Sequence, residues 1–263
     1  LEGDVIATQT RSTALSAGWC WDIPLTNRTG NGYVYSSAHL SGDAAETELR
    51  THLGVGDAGT ARHLKMRVGR VENSWSNNAL AIGLSQGFLE PLEATALHIV
   101  IATVENFIAA FEQGEFSARH RDEFNADIAA RYEGIRDYIV CHYKVNSRAD
   151  TQGVDYWQAC RENQILSDEL KAVLTCWYRG GDLPAEIAAL DIGKYYSTLS
   201  WHCLLAGYGV ADRVPGGHHA EHEPQPQPAV QPDLRAGVGA QLLHLGPHHR
   251  SARAVARALP RAL

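Results

Sequence analysis

The spacing of hydrophobic and polar positions changes along the chain, and the first 71 residues favour extended segments. Residues 19–24 (WCWDIP) alternate in polarity with a period of two, which predicts a strand that ends at its proline. Residues 27–32 (NRTGNG) have the composition of a turn, and the aromatic residues 33–35 (YVY) predict the next strand. A short helix is predicted over 44–53 and a half-buried strand over 64–68.

From Pro91 to about Gly209 the spacing becomes that of helices. Apolar residues three and four positions apart form one stripe from Leu97 to Phe111 and a second from Ile128 to His142. Stripes of this kind are usually core, so we expect both to be buried and assign them no function. Shorter helices are predicted at Tyr156–Cys160, Asp168–Tyr178 and Ala185–Leu190.

After about Ala211 the composition changes again. Residues 211–263 hold no aromatic residue and no lysine, but they hold six histidines and the alternating prolines of residues 223–228. A metal-binding tail, a disordered tail and a segment translated in a shifted frame all fit this composition. We favour a disordered or out-of-frame tail, because it offers too little apolar surface to offset the entropy lost on ordering.

Strands followed by helices predict an α+β or α/β fold with segregated layers. We expect residues 1–90 to be a sheet region, residues 91–210 a mainly helical region and residues 211–263 the tail.

Composition and charge exclude several classes. Apolar residues at 44% and charged residues at 20% are typical of a globular protein. A net charge of −7 gives no reason to expect nucleic acid, and the apolar runs are too short to predict a membrane partner. Five scattered cysteines indicate reduced thiols in a cytoplasmic protein. Because the first residue is Leu1, we expect the natural beginning to be missing.

Residues 54–59 (GVGDAG) match the glycine pattern of dinucleotide-binding loops. That loop requires a strand before it and a helix after it, and here the predicted order is reversed. We therefore interpret these residues as a glycine-rich helix exit and reject them as a phosphate site.

Two segments are candidates for chemistry. Tryptophans 19 and 21 would share one side of a strand, which on spacing alone usually means core. Pro91 is placed where helices begin, so Glu93 and the amides of Thr95 and Ala96 would lie in a first helical turn, where an anion can bind. A carboxylate at that position also simply stabilises a helix, and that alternative stays open.

Together with other motifs, these segments resemble the flavin-dependent tryptophan halogenase family over roughly Thr10 to Gly209. The motifs are Gly18–Pro24, Arg28–Ser36, Gly83–Thr95, Ile135–Tyr138 and Cys203–Gly209. The resemblance implies a flavin-monooxygenase-like sheet region, incomplete here, followed by a helical substrate-binding region. It also implies that reduced FAD, supplied by a separate flavin reductase, and O2 convert chloride or bromide into hypohalous acid, which halogenates an indole or other aromatic substrate.

The resemblance also assigns roles to particular residues. Glu93 corresponds to the catalytic carboxylate, and the backbone amides of Thr95 and Ala96 correspond to the halide site. The resemblance implies no metal. A homodimer is the assembly that we consider for this chain. The residues expected beside the cofactor or its tunnel are Trp19, Trp21, Ile23, Pro24 and Ala94, and those expected to contact substrate are Tyr195, Tyr196 and Ser200.

Three departures from the family pattern matter. The family's upstream FAD fingerprint and catalytic lysine do not appear, so we expect this fragment to be inactive alone. Ala94 stands where the family has serine, which keeps a halide-independent flavin monooxygenase open. Tyr195, Tyr196 and Ser200 do not favour free tryptophan over other aromatic substrates. A non-catalytic, aromatic-binding homologue is the third alternative.

Overall fold

The computed structural model describes residues 7–208 and the backbone of residues 240–246. Helices dominate and the strands form small sheets, which is an α+β arrangement. The strands are β1 (Arg11–Leu15), β2 (Gly18–Pro24), β3 (Thr29–Ser36), β4 (Thr60–Lys65), β5 (Gly69–Arg70), β6 (Trp75–Ser76), β7 (Ala79–Leu80), β8 (Gly87–Phe88) and β9 (Ala240–Gly246). The helices are α1 (Gly42–Leu53), α2 (Thr95–Gln113), α3 (Arg121–Lys144), α4 (Asp155–Glu162), α5 (Asp168–Tyr178), α6 (Leu183–Ala189) and α7 (Thr198–Gly207).

The largest sheet has the strand order β1-β2-β3-β9-β4, and each neighbouring pair is antiparallel. Two-stranded pairs β5–β8 and β6–β7 follow it. The strand β9 corrects the expected tail for residues 240–246, because these residues fill the gap between β3 and β4. The rest of the predicted tail, with most of its histidines, lies outside the described residues.

Strands β2 and β3 are covered on both faces where they pair. Neighbouring residues of a strand point to opposite faces, so Cys20 lies towards α1 and Trp19 lies on the other side. The α1 side is closed by a buried cluster of Cys20, Tyr33, Tyr35, Ala45 and Leu49. On the other face Trp19 and Val34 pack against Leu92 and Tyr143, so this is the face that meets the helical region.

The glycine-rich segment after α1 is a helix exit, as predicted. Gly54 has a φ of 65° and its N–H closes the last turn of α1 by bonding the carbonyls of Arg50 and Thr51. The Arg50 guanidinium then donates to the carbonyls of Gly56 and Ala58 at 3.1 and 2.8 Å. These carbonyls are held by an arginine, and β4 follows directly, so this loop is unlike a phosphate-binding loop.

Helix α3 is the centre of the helical region, with a buried cluster on each side. One cluster joins α3 to α5, α6 and α7, and its buried residues include Tyr138, Cys141, Leu170, Val173, Leu183, Ile187, Trp201 and Leu205. The other joins α3 to α2 and to β6, and it consists of Trp75, Ile99, Phe124, Ile128, Tyr132, Ile135 and Ile139. The expectation that the second stripe is buried is confirmed for Ile128, Tyr132, Ile135 and Ile139, which all lie in this second cluster, whereas His142 is half-buried.

The expectation that the stripe from Leu97 to Phe111 is core is wrong for much of its length. Leu97 and Ile101 are 74% and 56% exposed, and Ile108 is also exposed. The buried positions of α2 are instead Thr95, Ile99, Ala102 and Thr103. Periodicity identified a helix, but the α2 residues that pack on the α3 cluster are Ile99, Phe107, Ala110 and Phe111, and of these only Phe111 belongs to the predicted stripe.

The segment Leu92–Gln113, which contains α2, is long and apolar enough to cross a membrane by length and composition. It also carries Glu105 and Glu112, and Asn106 on α2 donates to Asp127 on α3 at 2.9 Å. A single segment of this kind is weak evidence for a membrane span.

Other boundaries also differ from the predictions. The strand expected over 64–68 is β4, Thr60–Lys65, because it begins directly after Gly59, which has a φ of 79°. Helix α7 was not predicted. The division into domains at residue 90 stays a prediction.

Candidate active site

The two tryptophans of β2 form one aromatic surface on the sheet face away from α1. Trp19 is buried against Val34, and the ring centroids of Trp19 and Trp21 are 5.9 Å apart. Gly32 lies opposite Trp21 in β3, where a Cβ atom would come within 1.9 Å of the indole ring. Glycine at this position therefore lets the Trp21 ring lie flat on β3.

The far end of β2 is more open. Ile23 is exposed, and Pro24 ends the strand. Leu92 packs against the Trp19–Val34 cluster, so the tryptophan end of β2 adjoins the turn that carries Glu93.

The segment that leads to this turn is fixed by buried hydrogen bonds. Gln86 is fully buried, and its amide nitrogen donates to Ser74 Oγ at 3.0 Å and to Thr103 Oγ1 at 3.1 Å. The Tyr132 hydroxyl donates to Gln86 Oε1 at 3.2 Å. One side chain thus ties this segment to both α2 and α3.

The turn before α2 has an unusual backbone. Residues Leu92–Ala94 form a 3₁₀ turn in which Glu93 and Ala94 have φ values of 63° and 52°. Left-handed conformations of non-glycine residues cost about 1–3 kcal/mol each and are often found at functional sites. The expectation that the helix opens at Pro91 is corrected, because α2 begins only at Thr95.

Glu93 faces a histidine on α3. Its Oε1 atom lies 3.3 Å from His142 Nε2, which suits an ion pair when the imidazole is protonated, although the ring N–H is not aligned for a hydrogen bond. The nearby His142 ring lowers the pKa of the Glu93 carboxyl group, against a smaller opposing effect of burial. Glu93 is consequently held as a carboxylate at neutral pH.

Glu93 and His142 share a cavity of about 550 Å³ between the turn, α3 and α7. Its wall combines aromatic, small and polar side chains, and it is lined by Glu93, Tyr138, His142, Leu199, Ser200, Cys203, Leu204, Gly207 and Tyr208. Lysine is not among these residues, in the part of the chain that the structure describes. The cavity is open to solvent and Glu93 is exposed at its edge, while its size and its few polar groups suit a small aromatic molecule.

The predicted substrate residues differ in their relation to this cavity. Ser200 lines it, and its carbonyl accepts a hydrogen bond from Tyr138 at 3.0 Å. Tyr196 stacks on the Tyr138 ring with a centroid distance of 3.6 Å, so it supports the cavity wall from behind. Tyr195 instead packs on Gly134, with the Arg131 guanidinium 5.8 Å from its ring centroid, and does not line the cavity.

The predicted halide residues open α2. Thr95 and Ala96 are its first two residues, whose N–H groups have no partner within the helix. The preceding Ala94 has no side chain that could cap these amides. Thr95 is buried, whereas Ala94 and Ala96 are exposed. The turn therefore presents backbone donors beside a carboxylate.

His142, Tyr138 and Tyr208 are cavity residues that the sequence analysis did not assign to a site. His142 was visible as the last member of the second apolar stripe, where a histidine is more polar than its neighbours. Its ring also contacts Tyr208, whose hydroxyl lies 3.3 Å from Nδ1. His142 could therefore be noticed in the sequence as a polar residue in an apolar stripe. Nothing in the sequence indicated that it lies beside Glu93 and Tyr208.

Comparison with known proteins gives the family. The family model described as tryptophan halogenase matches residues 2–222. The chain is 39% identical over 214 residues to 7-chloro-L-tryptophan 6-halogenase KtzR of Kutzneria sp. (strain 744), covering 80% of this chain and 40% of the relative. It is 41% identical over 178 residues to tryptophan 6-halogenase SttH of Streptomyces toxytricini, covering 67% of this chain and 33% of the relative.

A solved structure supports the same family. BrvH, a flavin-dependent halogenase from Brevundimonas sp. BAL3, superposes with a TM-score of 0.64 at 39% identity, covering 80% of this chain and 41% of that chain. The chain thus spans less than half the length of the relatives that it matches. On the family match and these identities, the chain belongs to the tryptophan halogenase family.

Proposed function

We propose that this chain is a portion of a flavin-dependent halogenase that halogenates an indole or another aromatic substrate, using reduced FAD, O2 and chloride or bromide through hypohalous acid. The observation that carries the proposal is the cavity shared by Glu93 and His142, which has aromatic walls and adjoins the first amides of α2. Family membership supports the reaction class.

Glu93 is the proposed catalytic carboxylate. When an electrophilic halogen adds to an aromatic ring, the ring becomes a cation that must lose a proton. A carboxylate inside the cavity stabilises this cation and accepts the proton. The ring cation is a far stronger acid than a carboxylic acid, so Glu93 accepts its proton even with a lowered pKa.

The cavity wall would orient the substrate. Tyr138 and Tyr208 offer aromatic faces, and Ser200 offers a polar contact at the rim. Tyr196 acts indirectly, because it fixes the Tyr138 ring by stacking. Tyr195 is proposed as a support of α3 instead of a substrate contact.

The turn before α2 fits an anion and the edge of a flavin. The amides of Thr95 and Ala96 are donors at a helix N-terminus, and Ala94 has no side-chain group that caps them. FAD, when bound, would supply the oxidising chemistry. Trp19, Trp21, Ile23 and Pro24 are the proposed barrier between that chemistry and the substrate cavity.

The remaining proposals concern partners. A separate flavin reductase would supply reduced FAD, a homodimer is the proposed assembly, and the cytoplasm is the proposed location. Nucleic acid, membrane and metal have no proposed role.

A fusion protein tests the proposed halogenation. The part of SttH that lies upstream of its match would be fused to this chain and supplied with FAD, a flavin reductase and bromide. Mass spectrometry of the products from a panel of indoles should show one hydrogen replaced by bromine. Glu93→Gln should lose about a hundredfold or more in rate, while Glu105→Gln, on the helix α2 that follows the turn, should keep the rate.

Omitting halide separates the alternatives. Oxygenated product that forms equally well without bromide would favour the monooxygenase suggested by Ala94. Binding of indole without any product would favour the non-catalytic homologue. Undiminished bromination by Glu93→Gln would refute the role assigned to that residue.

A further inference from the structure

A second glutamate, three residues before Glu93, is buried among hydrogen-bond donors from two other elements. Glu90 is 9% exposed. Its Oε2 atom accepts a hydrogen bond from the Tyr143 hydroxyl of α3 at 2.6 Å and one from the Trp19 indole N–H of β2 at 3.4 Å. Within the described residues, its Oε1 atom is buried and has no hydrogen-bond partner.

We propose that Glu90 is a positioning residue, which holds the turn of Glu93 between β2 and α3 so that the Glu93 carboxylate reaches His142. The proposal rests on the proposed function for the importance of Glu93, but the geometry stands without it. Tyr143 directly follows His142 in α3. The Glu90 carboxylate, which accepts the hydrogen bond from Tyr143, therefore fixes the distance between the Glu93 turn and the His142 ring.

The backbone of the turn explains why an anchor is required. Glu93 and Ala94 both have positive φ, and such conformations persist only where the surroundings enforce them. At its C-terminal end the turn continues directly into α2 through Ala94. At its N-terminal end Pro91 separates the turn from Glu90, whose side chain makes the contacts to β2 and α3.

The groups around Glu90 allow it to anchor the turn in both of its ionisation states. Burial raises the pKa of Glu90 to about 7, although the Tyr143 and Trp19 hydrogen bonds lower it. The charge of Glu90 acts on four tyrosines, and each of them has a raised pKa because of burial and is neutral here: Tyr143, Tyr156, Tyr196 and Tyr208. A protonated carboxyl group keeps one acceptor oxygen, so Oε2 accepts the same two donors above and below neutrality.

The test is the ionisation of Glu93 itself, followed by the ¹³C signal of its carboxyl carbon in the full 263-residue chain. In the wild type the pKa of Glu93 should lie below its ordinary value of 4.5, because His142 is close. Glu90→Leu removes the acceptor, so the pKa of Glu93 should rise to about that value. Glu90→Gln retains an acceptor oxygen and should restore the lowered pKa.

Matched variants separate positioning from general destabilisation. Tyr143→Phe removes the shorter hydrogen bond and should raise the pKa of Glu93 in the same direction as Glu90→Leu. Glu48→Leu removes a comparable contact, the 3.0 Å hydrogen bond from the Tyr33 hydroxyl, on the α1 side of the sheet, and should leave Glu93 unchanged. Circular dichroism identifies any variant that does not fold, and Tyr143→Phe then decides the result.

Two outcomes would overturn the proposal. One is an unchanged titration of Glu93 in folded Glu90→Leu or, where that variant does not fold, in Tyr143→Phe. The other is Glu90→Gln disturbing Glu93 as much as Glu90→Leu does. This titration involves no halogenation, so its result is independent of the result of the fusion-protein assay.

Discussion

The buried Glu90 predicts that the protein becomes less stable as the pH rises towards neutrality. Burial raises its pKa from the ordinary 4.5 to about 7. Between these values the folded state keeps a proton that the unfolded state releases, so the free energy of unfolding falls with increasing pH. The difference between the two pKa values corresponds to about 3 kcal/mol, fully present below pH 4.5 and lost above pH 7.

Urea denaturation, followed by circular dichroism at a series of pH values, measures this effect. The wild type and Glu90→Gln are compared at each pH, so that other titrating groups cancel. The stability of the wild type relative to Glu90→Gln should fall by about 3 kcal/mol between pH 4.5 and pH 8.

Glu93→Gln is the matched control, with the opposite sign. The pKa of Glu93 is lowered by His142, so this carboxylate stabilises the fold above its ordinary pKa and the contribution is lost on acidification. A stability difference between the wild type and Glu90→Gln that does not change with pH, or that rises with pH, would refute the reasoning about Glu90.

Three further predictions concern packing. Gly32→Ala should destabilise the fold by about 1–3 kcal/mol in urea denaturation, because the new Cβ meets the Trp21 ring at 1.9 Å. Gly30→Ala, whose nearest contact would be at 3.9 Å, should cost less stability. Equal losses of stability in the two variants would count against the close contact at Gly32. Leu49→Ala should cost about 2–5 kcal/mol, since Leu49 is fully buried beneath the sheet, and a loss below 1 kcal/mol would contradict that burial. Leu97→Glu should reduce binding of a hydrophobic fluorescent dye with little change in stability, because Leu97 is exposed, and a large loss of stability would show that it is core.

The elements with strong local patterns could be predicted from the sequence. Residues 19–24 alternate and end in proline, and β2 has those limits within one residue. The stripe ending at His142 predicted α3, because its apolar spacing persists over several turns. The exit of α1 was also predictable, since Gly54 follows a helix and precedes a strand.

Other elements depend on partners that are distant in sequence. Strand β9 joins the sheet between β3 and β4, and local composition at residues 240–246 gives no sign of that pairing. Helix α7 buries residues without a clear apolar stripe, so periodicity did not predict it. The stripe of α2 was recognised, but periodicity does not say which face of a helix the fold covers.

The candidate site shows the same limit. Glu93 and the amides of Thr95 and Ala96 came from a local motif and its resemblance to a family. The pairing of Glu93 with His142 joins two elements that only the fold brings together. The positive φ of Glu93 was not predictable either, because non-glycine residues adopt it where the surrounding structure enforces it.

The most direct measurement asks whether an aromatic molecule enters the cavity beside Glu93. Indole would be titrated into the chain while the ¹³C signal of the Glu93 carboxyl carbon is followed. The account predicts a saturable change in that signal, abolished by Ser200→Trp, which fills the cavity, and retained in Ser12→Trp on β1. A Glu93 signal that indole leaves unchanged, in a chain that is folded, would contradict the account.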